Sequence, residues 1–249
     1  MTAETGLKFS QRLGFISNTV FHQLILIIFV YISYVIIKYN DLNPTRIIHY
    51  SFSTGAYIPL MAEGIILFNE TNTWSFQINR SRKAWIHGVL LSLSLILLTI
   101  GIAFQINAKD DHFKTTHAIT GLVSWILCFV LTLTGVITIY SPKLKNYVRP
   151  VVLKTLHSCL GLSCYTIGMT SIILAIDKSS FTSYVSDTEL ITINSLVILL
   201  TIWSVIDPYI QQGVHSTQHQ RQYKAEALRG YVIIWFGASN NHQASSKNI

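Results

Sequence analysis

Six blocks of predominantly apolar residues divide this chain, at approximately 15–37, 47–68, 85–106, 116–139, 152–176 and 189–210. Each reaches the roughly 20 residues that a helix needs to cross the hydrocarbon of a bilayer. The pattern predicts an all-α integral membrane protein of six transmembrane helices joined by short connections. Residues 1–14 form an N-terminal segment, 15–210 the membrane domain and 211–249 a polar tail, whose apolar run from Tyr231 to Phe236 is too short to span. The first 14 residues carry Lys8 and Arg12 and do not read as a secretory signal; the apolar run behind them is long enough to remain as an anchor.

Composition points the same way. Half of the 249 residues are apolar and 12% are charged, with a mean hydropathy of +0.44, which is too apolar for a soluble domain of this size. The net charge of +7 acquires meaning only once the bases are sorted by loop. One side receives Lys8, Arg12, Arg80, Arg82, Lys83, Lys143, Lys145, Arg149, Lys154 and the bases of the tail. The other receives Lys38, Arg46, Lys109, Lys114 and Lys178 beside Asp41, Asp110, Asp111, Asp177, Asp187 and Glu189. Positive residues are retained on the cytoplasmic side, so both termini are expected in the cytosol, and nucleic acid is not an expected partner. The sequons at Asn69 and Asn79 then lie on the cytosolic side and should carry no glycan. Cys128, Cys159 and Cys164 fall inside apolar blocks without CxxC spacing, as small packed residues do, and give neither a disulfide framework nor a zinc site.

Coordinating residues inside a spanning helix are costly and usually functional, so the nine histidines sort by depth. His49, His87, His117 and His157 each lie within about two turns of the start of a different helix, the second to the fifth. Successive helices run in opposite directions, so His49 and His117 share one face of the bilayer and His87 and His157 the other. Two neutral imidazoles make a six-coordinate haem iron suited to passing electrons. With the hydrocarbon about 30 Å thick, the two irons would stand roughly 20 Å apart. Small residues at helical spacing would admit a flat porphyrin: Gly161, Cys164, Gly168, Ser171 and Ala175 from His157, and Gly121, Ser124, Cys128 and Gly135 from His117. Such stripes serve ordinary helix packing as well. His22 has no partner at its level on a neighbouring core helix and is assigned a structural place; His112, His215, His219 and His242 fall in loops or tail.

The order of these histidines and their local words, RIIHYSFSTGAY, RKAWIHGVL, TTHAITGLVSW and LKTLHSCLGL, resemble the cytochrome b561 family over about residues 10 to 210. The stretch YSPKLKNYVRPVVLKTLH and Glu63 resemble its shorter animal branch of b561-domain transmembrane reductases. The resemblance implies a four-helix core of the second to fifth helices holding two haem b groups. His49 with His117 would ligate the non-cytoplasmic iron and His87 with His157 the cytosolic one. It further implies transfer of electrons from cytosolic ascorbate to monodehydroascorbate or a ferric chelate, and a homodimer as a common assembly. TTHAI stands where the ascorbate-recycling branch carries an SLHSW-like word, so that branch's substrate residues are not carried over.

Ascorbate is a monoanion at neutral pH, and its binding site should present cations near the cytosolic haem edge. Lys83 and Lys154 lie about one turn outside His87 and His157, with Arg80, Arg82 and Arg149 behind them; the same residues also satisfy the retention of positive charge on the cytosolic side. On the far side Arg46, Tyr50, His112 and Lys114 could meet an acceptor or anchor the interface. Glu63, the only acid deep within a helix, falls on the His49 face at 100° per residue and suits interior solvation, proton handling or a structural hydrogen bond. A flavin-fed di-haem reductase would stack two deep histidines on one helix and append a nucleotide-binding domain, which no helix and no tail here provides. A transporter or scaffold with histidines but no haem is the remaining alternative.

Overall fold

The computed structural model describes residues 9–38, 43–143 and 146–207. Among these residues every regular element is helical. Helix α1 runs Phe9–Lys38, α2 Pro44–Gly55, a π-helical segment Ala56–Met61, α3 Ala62–Ile66, α4 Arg80–Asn107, α5 Thr116–Ile139, α6 Pro150–Ile176 and α7 Ser179–Thr182; α8 runs Asp187–Asp207. Five of the described helices, α1, α4, α5, α6 and α8, are long and apolar enough to cross a membrane. The expected second span, 47–68, is not one α-helix: α2, the π segment and α3 follow one another without a break. Pro59 lies in the π segment. A proline inside a helix lacks an N–H and its ring crowds the carbonyl one turn back, and a π turn makes room by admitting one extra residue. The end of the last expected span, the tail 211–249 with its three histidines, and the first eight residues lie outside the described residues.

Helix starts follow local chemistry. Asn43 accepts from the Thr45 N–H with Pro44 in the first turn, Asn79 accepts from Arg82 N–H, Thr115 accepts from Ala118 N–H, and Pro150 opens α6. On α1, Phe21, Leu24, Ile25, Ile28, Ile32, Val35 and Ile36 are buried while Ile16, Val20, Leu26, Ile27 and Val30 are exposed. A helix apolar on both its inner and outer faces belongs in hydrocarbon. The π segment and α3 are well enclosed among the described residues, with Ala56, Tyr57, Ile58, Ala62 and Ile66 all buried.

Along part of their length the two small-residue stripes pack against each other. A β-carbon at Gly121 would stand 3.1 Å from Ser171 Oγ. Ser124 Oγ donates to the Cys164 carbonyl at 2.8 Å, and the sulfurs of Cys128 and Cys164, both free thiols, are 3.3 Å apart. Midway along α5 and α6 these residues therefore provide close backbone approach, the ordinary use of small residues between membrane helices. Toward their ends both stripes border a histidine: a β-carbon at Gly135 would come within 3.4 Å of His157 Cε1, and Ser171 Oγ lies 3.0 Å from His117 Nδ1.

Candidate functional site

Helices α2, α4, α5 and α6 each carry one of the four deep histidines. In space they form two couples. The His49 and His117 ring centroids are 6.1 Å apart with the rings inclined at 79°, and those of His87 and His157 are 6.3 Å apart at 72°. Two metal–imidazole bonds of roughly 2 Å each, plus about 1 Å from each nitrogen to its ring centre, amount to about 6 Å. Each couple is thus spaced to hold one metal between facing nitrogens. Among the described residues no group of three or more His, Cys, Asp or Glu gathers around an ion. A pair of axial imidazoles suits a metal that brings its own equatorial ligands, as haem iron does.

The nitrogen that would face such a metal is selected by what the other nitrogen touches. His49 Nδ1 donates to the Gly101 carbonyl at 3.1 Å, His87 Nδ1 to the Gly64 carbonyl at 2.9 Å, and His117 Nδ1 to the Ser171 carbonyl at 2.9 Å. His157 Nδ1 lies 3.2 Å from Thr134 Oγ1, whose own hydrogen goes to the Leu131 carbonyl, so here too Nδ1 is the donor. With the hydrogen on Nδ1, Nε2 keeps its lone pair in all four rings. This outer contact fixes tautomer and ring orientation and raises ligand basicity.

These contacts also set the vertical scale. Gly101, which seats His49, lies fourteen residues beyond His87 on α4, and Ser171, which seats His117, lies fourteen beyond His157 on α6. At 1.5 Å per residue the two couples stand about 21 Å apart along the helices. On the α2–α3 strand of the bundle the offset from His49 to Gly64 is fifteen, the extra residue being the one the π turn admits. A β-carbon at Gly101 would lie 3.5 Å from the His49 backbone, in ordinary van der Waals contact, so α2 and α4 approach closely at this level. Beside His49 and His117 opens a small cleft walled by Ile32, Ile36, Ile172, Ala175, Ile176 and Phe181, with hydroxyls from Tyr50, Ser53 and Thr54. Gly64, Gly101 and Thr134 were not expected in the site; a small residue fourteen to seventeen places beyond a histidine, on a helix adjacent to another histidine, is the signal that marks them.

Other expected residues fall differently. Lys83, placed by sequence in an exposed cationic collar, is buried, and its ammonium donates to the Asn69 carbonyl at 3.4 Å. The reason is the 67–79 connection, which folds back through Asn69 and Asn72 and covers the first turn of α4. Lys154, Arg149, Arg80 and Arg82 are exposed. On the opposite side Arg46 is exposed, Tyr50 shares a hydrogen bond with Ser180, and Lys114 pairs with Asp111. Burial and the neighbouring Lys109 ammonium lower the Lys178 ammonium below its ordinary range.

Glu63 does not share a face with His49, and His22 is not without a partner. A residue admitted by the π turn sets the helix back by about 100°, which directs Glu63 to α1. There its Oε1 meets His22 Nδ1 at 2.6 Å.

A family model described as eukaryotic cytochrome b561 matches residues 48–183, a range that takes in all four histidines. The transmembrane reductase CYB561D2 of Homo sapiens is 28% identical over 135 residues, 53% of this chain and 60% of that protein. The proteins of the same name from Mus musculus and Bos taurus match to the same extent. The matched region thus spans less than two thirds of these relatives' own length.

Proposed function

The chain belongs to the eukaryotic cytochrome b561 family, whose members bind haem b, and from that premise we propose a transmembrane reductase that holds two haem b groups. The observation that carries the reading is the spacing of the two imidazole couples, about 6 Å within each, with every Nδ1 engaged elsewhere. His49 and His117 hold the non-cytoplasmic haem; His87 and His157 hold the cytosolic one. When bound, each haem supplies an iron that cycles between the ferric and ferrous states.

The chain is an integral, multi-pass membrane protein. In the proposed topology α2, the π segment and α3 together make the second of six spans, being about 35 Å long at 1.5 Å per residue, and α2 to α6 form the core. Both termini lie in the cytosol, on the side of Arg80, Arg82, Arg149 and Lys154. These exposed cations draw ascorbate, a monoanion, toward the His87–His157 level; Lys83, turned to the Asn69 carbonyl, tethers the connection. The acceptor on the far side is monodehydroascorbate or a ferric chelate, and a homodimer is the expected assembly. The polypeptide keeps imidazoles oriented and water out, and lets charge cross by two steps through a layer in which Tyr57, Ser124 and Cys164 are buried.

Purified protein is expected to carry two haems per chain and to be reduced by ascorbate within seconds. Reconstituted in vesicles with a ferric chelate enclosed, it should reduce that chelate when ascorbate is added to the cytosolic face. A colourless preparation, or one haem per chain, would overturn the reading in favour of a haem-free transporter or scaffold. The topology has its own check. Asn69 is 7% exposed and its amide donates to both Asp207 oxygens, at 2.8 and 2.7 Å. Asn69 and Asn79 are both expected to lack sugar in protein made in animal cells, read as an unchanged gel mobility after glycosidase; a shift due to Asn79 would invert the orientation.

A further inference from the structure

Beside the cytosolic couple lies a polar chain that electron transfer does not use. It links Asn18 and His22 on α1, Glu63 on α3, and Thr73 and Trp74 in the connection that follows. The Thr73 N–H donates to Asn18 Oδ1 at 2.9 Å, which identifies that atom as the amide oxygen. His22 Nε2 lies 2.8 Å from the same oxygen; an oxygen already in use as an acceptor requires Nε2 to be a donor. On the other side of the ring Nδ1 stands 2.6 Å from Glu63 Oε1, while Oε2 accepts from Trp74 Nε1 at 3.1 Å. Two lone pairs cannot face each other at that distance. A second proton therefore lies between Nδ1 and Oε1, whichever atom is drawn as its owner. With it the couple is neutral overall; without it the couple carries one negative charge.

The side chains of His22 and Glu63 are only 19% and 22% exposed, and Glu63 immediately precedes Gly64, whose carbonyl holds the Nδ1–H of His87. The exchangeable charge thus sits on the residue next to the seat of a haem ligand.

We propose that His22 and Glu63 form a proton-holding site coupled to the cytosolic haem, loaded when that haem is reduced and emptied when it is oxidised. The inference rests on the reading that His87 and His157 hold a haem. An ascorbate monoanion that becomes its radical anion gives up one electron and one proton. The electron converts ferric to ferrous iron, and the proton converts the anionic couple to the neutral one, so charge and atoms balance. Ferric haem carries one positive charge more than ferrous haem, and with the two side chains only 19% and 22% exposed its repulsion of a proton on the couple is weakly screened. Reduction therefore favours loading, and by reciprocity loading favours reduction. Other ionisable groups toward this end of the surrounding elements are Arg12 on α1, Glu70 in the connection, Arg80, Arg82, Lys83 and His87 on α4 and Asp207 on α8. Lys83 is turned to the Asn69 carbonyl and Asp207 to the Asn69 amide; the carboxylate of Glu63 goes to His22 and Trp74.

The test is redox titration of the full-length haem protein, following each haem by its visible spectrum at a series of pH values. The cytosolic haem is assigned by its loss in the His157→Ala variant. In the parent protein its midpoint potential is expected to fall as pH rises, and in Glu63→Gln that slope should disappear while the other haem is unaffected. His22→Gln, which keeps the carboxylate but removes its partner, should move the pH range of the slope. Reduced-minus-oxidised infrared spectra should show a carboxyl or shifted carboxylate band that is absent from Glu63→Gln. A slope that survives in Glu63→Gln, a potential independent of pH in the parent, or equal loss of slope at both haems would each overturn the proposal. Haem content is measured first: fewer than two haems per chain counts against the functional reading and removes this inference with it, whereas full content with a flat slope counts against the dyad alone.

Discussion

A His157→Ala variant is expected to retain one haem per chain and to lose reduction by ascorbate, while His117→Ala also retains one haem but is still reduced from the cytosolic side. The difference follows from where each ring sits. His157 faces His87 at 6.3 Å on the side that carries Arg80, Arg82, Arg149 and Lys154, so on the proposed path its loss removes the first acceptor of the electron. His117 faces His49 at 6.1 Å, about 21 Å farther along the helices, so its loss removes only the second step. A graded version is Thr134→Val, which keeps the ring but deletes the acceptor of its Nδ1–H. Losing such an outer contact typically costs 10- to 100-fold in metal affinity, and the variant should shed the cytosolic haem preferentially on dilution or mild heating. Haem extracted per mole of chain, together with the ascorbate-reduced spectrum, measures all three. If both single-histidine variants kept both haems, or lost them indifferently, the couples would not be the ones described.

The couples were legible in the sequence because two simple regularities produce them. Apolar blocks of spanning length fix helices, and helices joined by short connections must alternate in direction, so histidines near successive helix starts sort onto opposite faces. What the sequence concealed depends on departures from regular geometry. Pro59 lies in an apolar run that reads as an unbroken helix, yet it marks a π segment, and one extra residue carried Glu63 from the His49 face to His22. Lys83 could not be seen as buried, because the connection covering it is shaped by Asn69 and Asn72 through side-chain turns that have no periodicity. The partners of the four Nδ1 atoms are mostly backbone carbonyls, and a carbonyl leaves no mark on composition. The small-residue stripes were seen, but their use was not: spacing alone does not tell whether a flat ligand or another helix lies against them.

Gly168→Ala is expected to destabilise the folded protein more than any other single methyl added to its helices. A β-carbon at this position would stand 2.0 Å from Tyr57 Cε1, 2.4 Å from Tyr57 Cζ and 2.8 Å from Ser124 Oγ. The ring cannot swing aside, because it is buried in the π segment and its hydroxyl donates to Ser124 Oγ at 2.7 Å. Ser124 Oγ in turn donates to the Cys164 carbonyl one turn away. Accommodating the methyl means either separating α6 from the π segment or breaking that chain. Overpacking costs about 1–3 kcal/mol, and a lost buried hydrogen bond adds about 1 kcal/mol, together a fall in Tm of several degrees. Gly161→Ala is the control, since its nearest new neighbour would be Leu131 Cδ2 at 3.9 Å, and it should be neutral or slightly stabilising. Tyr57→Leu combined with Gly168→Ala should recover part of the loss, giving a coupling energy that neither change has alone. The effect reaches function through α6, which carries His157 at one level and Ser171, the seat of His117, at the other. Displacing it should loosen both haems together, unlike the single-haem loss of the histidine variants. Equal thermal stability of Gly168→Ala and Gly161→Ala in detergent would mean that α6 does not rest on Tyr57.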